Sequence, residues 1–552
     1  MTSLNSLLQK LLKLKFTNIK DIEEITVPIE AFGTIFEQTR LIVHAEPYKR
    51  LQGLCPHCMH KCAKNGYKQE KESTWRASNL IGIPVYIKYR PHRIFCPVHG
   101  SVNEYICWQD GNSRFTPAFN DEVAWLACRM SKLDISMFLG ISWSTVGNCI
   151  QAAHKRLEKN DVSDRLHDNV RRICVDETSY KKGHSYMTVV TDMDKNKVIW
   201  VHKGHGYEVF SEFCNQLTED DRNNIEIVAG DGARWIDSCM KFFPNAIRCI
   251  DFFHVAQWAN KALDDIRIAL IAEAKRTYNK LLAKYIQAEK QLAETEEKMK
   301  KQCLDAQKEL STMPHRRRPS KRKQELLAFI AEYKNSQKQS EGKDLPRSVG
   351  RPKKQQLSEE HEKILKEYKD EINDFKGAKF ALGHNPEDCT AGQLEKIDLI
   401  KNNYPELFRA YQLKESLRII LHMRDRNQAN IELSNWFKDA QESNLKPMQE
   451  LADKIKNRHL TNILNAIEYQ ANSAKSEAMN TTIKGLIKVA RGFRNLENLF
   501  ALIYLKCSDI VIPLSNRPTP SEEYLAKKRE RANELRRARE EKRRKALVTR
   551  AA

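Results

Sequence analysis

A run of short apolar segments between residues 171 and 251, several ending on an acidic residue, sets narrow limits on the fold. Ile173-Cys174-Val175-Asp176-Glu177 reads as a strand ending on acids. Residues 186–192 and 198–202 read as two more, joined by the turn Asp194-Lys195-Asn196-Lys197. A helix over 207–217 follows, then a strand over 225–231 closing on Gly230-Asp231. A helix over 233–243 leads to a last strand over 247–251, which ends on Asp251. The order is three antiparallel strands, then helix, strand, helix, strand. Right-handed crossovers lay the strand of Asp231 parallel to and beside that of Asp176. Both carboxylates then emerge together at one edge of the sheet. A carboxylate among apolar strand residues is costly as a purely structural feature, so the placement predicts a bound divalent cation.

Two carboxylates under-coordinate a pair of Mg²⁺ ions set roughly 3.5–4 Å apart, so a third acid is expected on a helix packed nearby. The strongest candidate is Glu477, in the segment Asn472-Ser473-Ala474-Lys475-Ser476-Glu477-Ala478-Met479-Asn480. Glu477, Asn480 and Lys484 fall at i, i+3 and i+7 and share one helix face. An acid, an amide and a cation on one stripe suit a metal ion and a DNA phosphate. Taken alone, the same segment reads as an amphipathic helix with a solvated face.

Far more chain separates Asp231 from Glu477 than closing the sheet needs. Residues 262–310, rich in Ala, Leu, Lys and Glu, read as one long helix, half of an antiparallel hairpin with 357–375. Further helices are expected over 405–421, 428–443 and 448–469, so the insertion is mostly α. Between the hairpin arms lie the basic stretches His315-Arg316-Arg317-Arg318-Pro319-Ser320-Lys321-Arg322-Lys323 and 346–354. Within the second, Gly350-Arg351-Pro352-Lys353 matches the core of an AT-hook, which lays arginine in a narrow minor groove; a basic flexible loop is the plainer alternative.

The N-terminal part carries Cys55-Pro56-His57-Cys58 and Cys96-Pro97-Val98-His99. A two-residue spacing puts both donors of a pair on one side of a tetrahedral ion, and two such knuckles complete it. Between them Ile83, Val85, Ile87 and Tyr89 alternate with polar or exposed positions, the period of a strand. This pattern reads as a zinc ribbon, with Cys62, His57, His60 and His92 as nearby alternative ligands. Next, 118–130 and 131–139 read as two helices, and Gly140 stops the second. Ser142 caps a third helix reaching about residue 155, with Val146 and Ile150 on its buried face. Two short helices with a tight glycine turn fit a helix-turn-helix, against an ordinary helical hairpin. On the exposed stripe of the third helix, Ser144, Thr145 and Asn148, with Gln151, are polar groups able to meet phosphates and base edges.

Net charge decides between those alternatives. The chain has 93 Lys+Arg against 72 Asp+Glu, a formal charge of +21, and so favours a polyanionic partner. Double-stranded DNA is the expected one. At 552 residues the chain exceeds a single hydrophobic core. No apolar run approaches a membrane span, and no signal peptide is read at the start, so no membrane partner is expected. Most of the 14 Cys are scattered singly in apolar runs, as in a reduced, cytoplasmic protein.

Several blocks resemble one known family, the DDE transposases of ISL-type insertion sequences, which carry an N-terminal zinc finger. The blocks are 175–186 with Asp176, Gly230-Asp231, Pro244-Asn245-Ala246 before Asp251-Phe252-Phe253-His254, 376–382, 472–484 with Glu477 and Asn480, and Arg491-Gly492-Phe493-Arg494-Asn495. Together they span most of the chain, roughly 51–505. The resemblance implies a multidomain α/β protein with an RNase H-like catalytic core interrupted by a large α-helical insertion. It implies catalytic, metal-binding residues Asp176, Asp231 and Glu477, with Mg²⁺ or Mn²⁺ as cofactor. Asp251 and His254 match a further family motif and are taken as accessory residues. Zn²⁺ is expected on Cys55, Cys58, Cys96 and His99, although His99 stands where the family's second pair ends in Cys. Ser144, Thr145, Asn148, Lys484 and Arg351 are the expected DNA contacts.

The expected organisation is an N-terminal segment (1–45), a zinc-binding domain (46–108) and a helix-turn-helix domain (115–160). The first part of the core (170–268) is followed by the helical insertion with its basic linker (269–465). The core helix carrying Glu477 (466–510) and a basic tail (511–552) complete it. Metal-dependent cleavage and strand transfer at inverted-repeat ends follows as the expected activity, by a homo-oligomer on DNA in the prokaryotic nucleoid. The rivals are a nuclease that cuts without joining and a DNA-binding regulator that has lost catalysis.

Overall fold

The computed structural model describes residues 4–31, 34–67, 72–160, 165–166, 169–181, 183, 185–313, 320–340, 357–471 and 474–514, with single positions at 523, 527 and 530. Two units divide the chain: Met1–Val255 with Leu421–Ile431 and Asn457–Ala552, and Ala256–Ile420 with Glu432–Lys456. Among the described residues no helix is long and apolar enough to cross a membrane.

The first unit opens with α1 (Leu4–Leu11), then β1 (Thr17–Ala31), β2 (Thr34–Pro47), β3 (Ala63–Tyr67), β4 (Ser73–Leu80), β5 (Ile83–Tyr89), β6 (His92–Cys96) and β7 (Gly100–Asn103). These make two sheets, ordered β1-β2-β5-β4 and β3-β6-β7. Trp75, Ile87, Val43 and Trp108 are buried beneath the first, and the two indoles meet edge-on at 5.9 Å. Two sequence expectations are corrected here. The strand at 83–89 belongs to the four-stranded sheet, while Cys96 closes β6 of the three-stranded one, His99 follows in the turn to β7, and Cys55 and Cys58 lie before β3. A boundary between 45 and 46 would fall inside β2, because 34–47 pairs with β1 throughout.

Helices α2 (Pro117–Ala127), α3 (Lys132–Leu139) and α4 (Trp143–Asn160) follow. Thr116 caps α2 by accepting the Phe119 N–H, and Ser131 caps α3 by accepting that of Asp134 at 3.2 Å. Gly140 ends α3 at φ +63°, where a Cβ would be strained. Val146 and Ile150 are buried, but not in a domain of their own. Phe119, Val123, Ile135, Val146 and Ile150 share one core with Val189 and Val198 of the central sheet and with Ile483 and Leu502 of the C-terminal helices. The helix pair is thus fused to the sheet rather than tethered to it.

The central sheet comprises β8 (Arg172–Lys181), β9 (Ser185–Asp192), β10 (Lys197–Lys203), β11 (Ile227–Gly230) and β12 (Ile247–Ile250). Helices α5 (Tyr207–Gln216) and α6 (Glu219–Asn224) precede β11, and α7 (Arg234–Cys239) lies between β11 and β12. The strand order is β10-β9-β8-β11-β12. The first three are antiparallel, and β11 runs parallel to both β8 and β12.

The second unit is helical. It takes up most of α8 (Phe252–Thr312), then α9 (Lys321–Ser340), α10 (Glu359–Gly383), α11 (Ala391–Asn403), α12 (Pro405–Leu421), much of α13 (Arg426–Glu442) and α14 (Lys446–Lys454). At 61 residues, α8 is about 90 Å long. It runs antiparallel to α10: Arg267 donates to the Phe375 carbonyl at 3.1 Å, and the Tyr285 ring stacks on His361 at 3.9 Å. This unit begins at Ala256 rather than 269 and leaves 421–431 to the first unit.

The chain closes with α15 (Leu460–Glu468), α16 (Ala474–Val489) and α17 (Leu496–Cys507), all in the first unit. They explain the two-sided burial of the sheet. Ile173, Val175, Val190 and Val228 face Phe210, Phe213 and Ile236 of α5 and α7. On the opposite face Met187, Val189, Val198 and Val201 meet α4, α16 and α17, while Cys174, Ala229 and Cys249 meet Ala466 and Ala471. Strand β10 keeps both faces filled through a register shift between Val198 and Trp200. Each large apolar side chain buried there stabilises the fold by about 1.5–3 kcal/mol.

Candidate active site and metal cluster

Three aspartates stand at one level across adjacent parallel strands. Gly230, the last residue of β11, pairs with Val175 on one side and Ile250 on the other, so Asp231 follows level with Asp176 and Asp251. A glycine is required there: a Cβ would lie 2.8 Å from both the Val175 carbonyl oxygen and the Ile236 Cδ1. Strand β8 does not end on its acids but continues to Lys181. Since β11 stops opposite Val175, the side of β8 from Asp176 onward has no strand partner among the described residues. Asp231 Oδ1 accepts the Ala233 N–H at 3.0 Å, and Asp251 Oδ1 accepts that of Phe253 at 2.8 Å. His254, in the first turn of α8, puts Nε2 3.8 Å from Asp176 and 4.0 Å from Asp251.

Burial pushes the Asp176 carboxyl above the ordinary carboxylate range. The His254 ring, the Glu177 N–H and the Asn480 amide pull it back, and the charge of Asp251 adds to the rise. Glu177 is also raised, by burial and then by the charge of Asp231, although it accepts the Gly206 N–H at 3.2 Å. Acids crowded together and partly removed from water are stabilised in their charged form by a cation.

Helix α16 packs on the sheet face that Asp176 and Thr178 share with Val189 and Met187. Met479, Ile483 and Leu486 bury themselves in the shared core. Asn480 donates its amide N–H to Asp176 Oδ2, and its Oδ1 accepts from the Thr178 hydroxyl at 3.4 Å. Glu477 belongs to α16, three residues before Asn480 and so on the same helix face. Lys484 is exposed one turn beyond Asn480.

The N-terminal cluster is more tightly drawn. Cys55, Cys58, Cys96 and His99 have donor atoms that all lie within 4.8 Å of one another, the only such group among the described residues. Cys58 Sγ and Cys96 Sγ are 3.6 Å apart, as are His99 Nδ1 and each of Cys55 Sγ and Cys96 Sγ. Ligands about 2.3 Å from a tetrahedral ion stand roughly 3.7 Å from one another, close to these three separations, so the donor set suits a tetrahedral metal. Burial pushes the Cys96 thiol up, but the His99 and Val98 N–H groups, the His99 ring and the Cys58 sulfur bring it down to about 6. Buried Glu104 supports the cluster by accepting from the Gly53 N–H at 2.7 Å and from the Tyr89 hydroxyl at 2.9 Å. It also meets the His92 ring at 2.8 Å. Sequence reasoning missed Glu104; a lone acid after a strand gives no signal until its partners are assembled.

A transposase family model matches residues 173–340 and 349–503 of this chain. The chain is a DDE transposase of the ISL3 type. It is 31% identical over 471 residues to the transposase for insertion sequence element IS1557 of Mycobacterium tuberculosis, covering 84% of this chain and 88% of that one. The same figures hold for the proteins of strains CDC 1551 / Oshkosh and H37Rv. The transposase for insertion sequence element IS1001 of Bordetella parapertussis is 24% identical over 237 residues, covering 41% of this chain and 55% of that one.

On the transposase, Ser144 and Asn148 are exposed on α4 and Thr145 is half-buried. Gln151 is not available: its amide lies 3.1 Å from that of Asn498 on α17. Of the basic linker, Lys321, Arg322 and Lys323 open α9, and Arg322 grips Glu309 through two contacts of 3.0 Å. Residues 315–319, the AT-hook-like 350–353 with Arg351, and nearly all of the tail lie outside the described residues.

Proposed function

We propose that the central sheet is an RNase H-like core in which Asp176, Asp231 and Glu477 form the catalytic set. The order β10-β9-β8-β11-β12, three strands antiparallel and two parallel, supports that reading. The observation that carries it is the Asn480–Asp176 contact, which docks the helix of Glu477 on the strand of Asp176. Mg²⁺ or Mn²⁺ on these acids would supply charge neutralisation at the phosphodiester and activation of water and of the 3′-hydroxyl. Asn480 holds the Asp176 carboxylate in place, while Asp251 and His254 hold its other side. Lys484 meets a DNA phosphate beside the acids.

Cleavage at an inverted-repeat end forms a bond from water oxygen to phosphorus and releases a 3′-hydroxyl. That hydroxyl then displaces a strand of target DNA by the same in-line exchange. Zn²⁺ on Cys55, Cys58, Cys96 and His99 stabilises the three-stranded sheet, whose own core is small. Ser144, Thr145 and Asn148 read bases, and Arg351 adds a backbone contact. The enzyme works as a homo-oligomer on DNA in the nucleoid.

Ala at Asp176, Asp231 or Glu477 is expected to abolish nicking of end DNA in Mg²⁺ and to leave binding of that DNA largely intact. Residual nicking by the triple variant would remove these acids from the mechanism. Cleavage by the unmodified enzyme without any strand-transfer product would leave a nuclease instead.

A further inference from the structure

Residues 1–20 and 47–69 contain no Asp or Glu, although both stretches are rich in Lys and Arg. The fold brings them together. Phe16 and Tyr48 flank Thr17 and Pro47, the paired ends of β1 and β2. The Tyr48 N–H donates to the Phe16 carbonyl at 2.8 Å, and the Arg50 guanidinium lies over both rings, 5.1 Å from Phe16 and 6.0 Å from Tyr48. Lys61 Nζ donates to the Lys49 carbonyl at 3.2 Å, and Lys64 Nζ to Gln52 Oε1 at 3.4 Å. Lys15, Lys49, Arg50, Lys61 and Lys64 thus form one exposed belt, and none of them has an ion pair among the described residues. Glu46, the acid that precedes Tyr48 in sequence, is held by Lys20 at 3.2 Å. Phe16 takes φ +58°, uncommon for a bulky residue, and is 47% exposed beneath Arg50.

Five like charges gathered without acids repel one another, and a polyanion relieves that repulsion. A guanidinium held over aromatic rings is pre-organised to meet a phosphate with its N–H fork. The belt also has a fixed relation to α4. Arg156 of α4 donates to Asp110 at 2.9 Å, and the Thr116 N–H, at the cap of α2, donates to the Arg76 carbonyl of β4 at 2.9 Å. We propose that the belt grips the phosphate backbone of the same transposon-end duplex that α4 meets, adding affinity without reading sequence. Short polar side chains on α4 suit base edges, and long cations on the belt suit phosphates. The proposal rests on the reading above that Ser144, Thr145 and Asn148 contact end DNA, and it adds a second, sequence-independent surface to it.

The test uses the full-length transposase in binding titrations without added Mg²⁺, over a range of salt concentrations. Lys15→Gln, Lys49→Gln, Arg50→Gln, Lys61→Gln and Lys64→Gln together should lower the slope of log affinity against log salt by about four to five. A fourfold rise in salt should then cost the variant about five-hundredfold less affinity than it costs the unmodified chain. Thermal melting and zinc content should match the unmodified chain. End DNA and random duplex should weaken alike, so the preference between them survives. In end DNA carrying single neutral methylphosphonates, a run of positions should weaken binding by the unmodified chain and leave the variant unaffected. An unchanged salt slope, or methylphosphonates that weaken both proteins alike at every position, would overturn the belt. Loss of the end-DNA preference in the variant would overturn it as well, because the belt would then read sequence. Asn148→Ala tests α4 separately: preference kept there, with the slope still flattened by the five Gln, would remove base reading from α4 and uphold the belt.

Discussion

Replacing Asn480 by Ala removes one amide and little else. Docking of α16 rests on Met479, Ile483 and Leu486, so the helix should stay in place and the melting temperature should change little. The Asp176 carboxylate, however, loses a donor that stabilises its charged form. A hydrogen bond to a charged group contributes about 1.5–3 kcal/mol, equivalent to roughly one to two pH units in the carboxyl's titration. Burial already holds that carboxyl above the ordinary range, so its titration moves further up, toward the working pH. Single-turnover nicking of end DNA should be followed across pH at sub-saturating Mg²⁺. The acid limb of the profile should rise by about one to two units, with a loss of about tenfold to a hundredfold at pH below the limb that shrinks as pH rises past it. Asn480→Asp, which sets a like charge beside Asp176, should shift the limb further. A uniform drop in rate with the limb unmoved would refute the reasoning, since Asn480 would then act through packing alone.

Asp176→Asn should raise the melting temperature of the metal-free protein at neutral pH while removing activity. The folded-state titration of Asp176 is raised, so its contribution to stability is fully present below the unfolded value and is lost as pH rises through the folded one; the melting gain should vanish in acid. Elemental analysis of the purified chain should find one zinc, lost in Cys55→Ser or Cys96→Ser but kept in Cys62→Ser. Asn148→Ala should lower the preference for terminal repeats over random DNA by about 1–3 kcal/mol in paired titrations, if it makes a bidentate base contact; unchanged preference would move base reading away from α4.

The acids were legible because strand order and handedness leave one way to lay the strand of Asp231 beside that of Asp176. Asp251 could have been raised from accessory by the same reasoning, since its strand is the next parallel neighbour. The helix face of Glu477 and Asn480 was legible from spacing, but not that Asn480 touches Asp176, because a docking angle leaves no periodic trace. The β1–β2 hairpin was missed: its alternating residues include six acids and Pro28, a composition that resembles solvated linker more than strand. The fusion of α2–α4 to the sheet was hidden for another reason. Helix patterning shows which face is buried, not what buries it.

The bond between Asp176 and Asn480 joins positions 304 residues apart. At about 5–20 residues per second, a ribosome needs roughly fifteen seconds to a minute to pass from one to the other. Throughout that interval the emerging chain holds three aspartates in sequence but no helix to close over them. The apolar faces of α4 and β10 also wait for Ile483 and Leu502. A prematurely ended chain thus leaves the apolar faces of α4 and β10 uncovered, which marks it for proteolysis. On the proposed catalytic set, Glu477 joins the aspartates only in a nearly finished polypeptide, so the covalent layout acts as a check on synthesis.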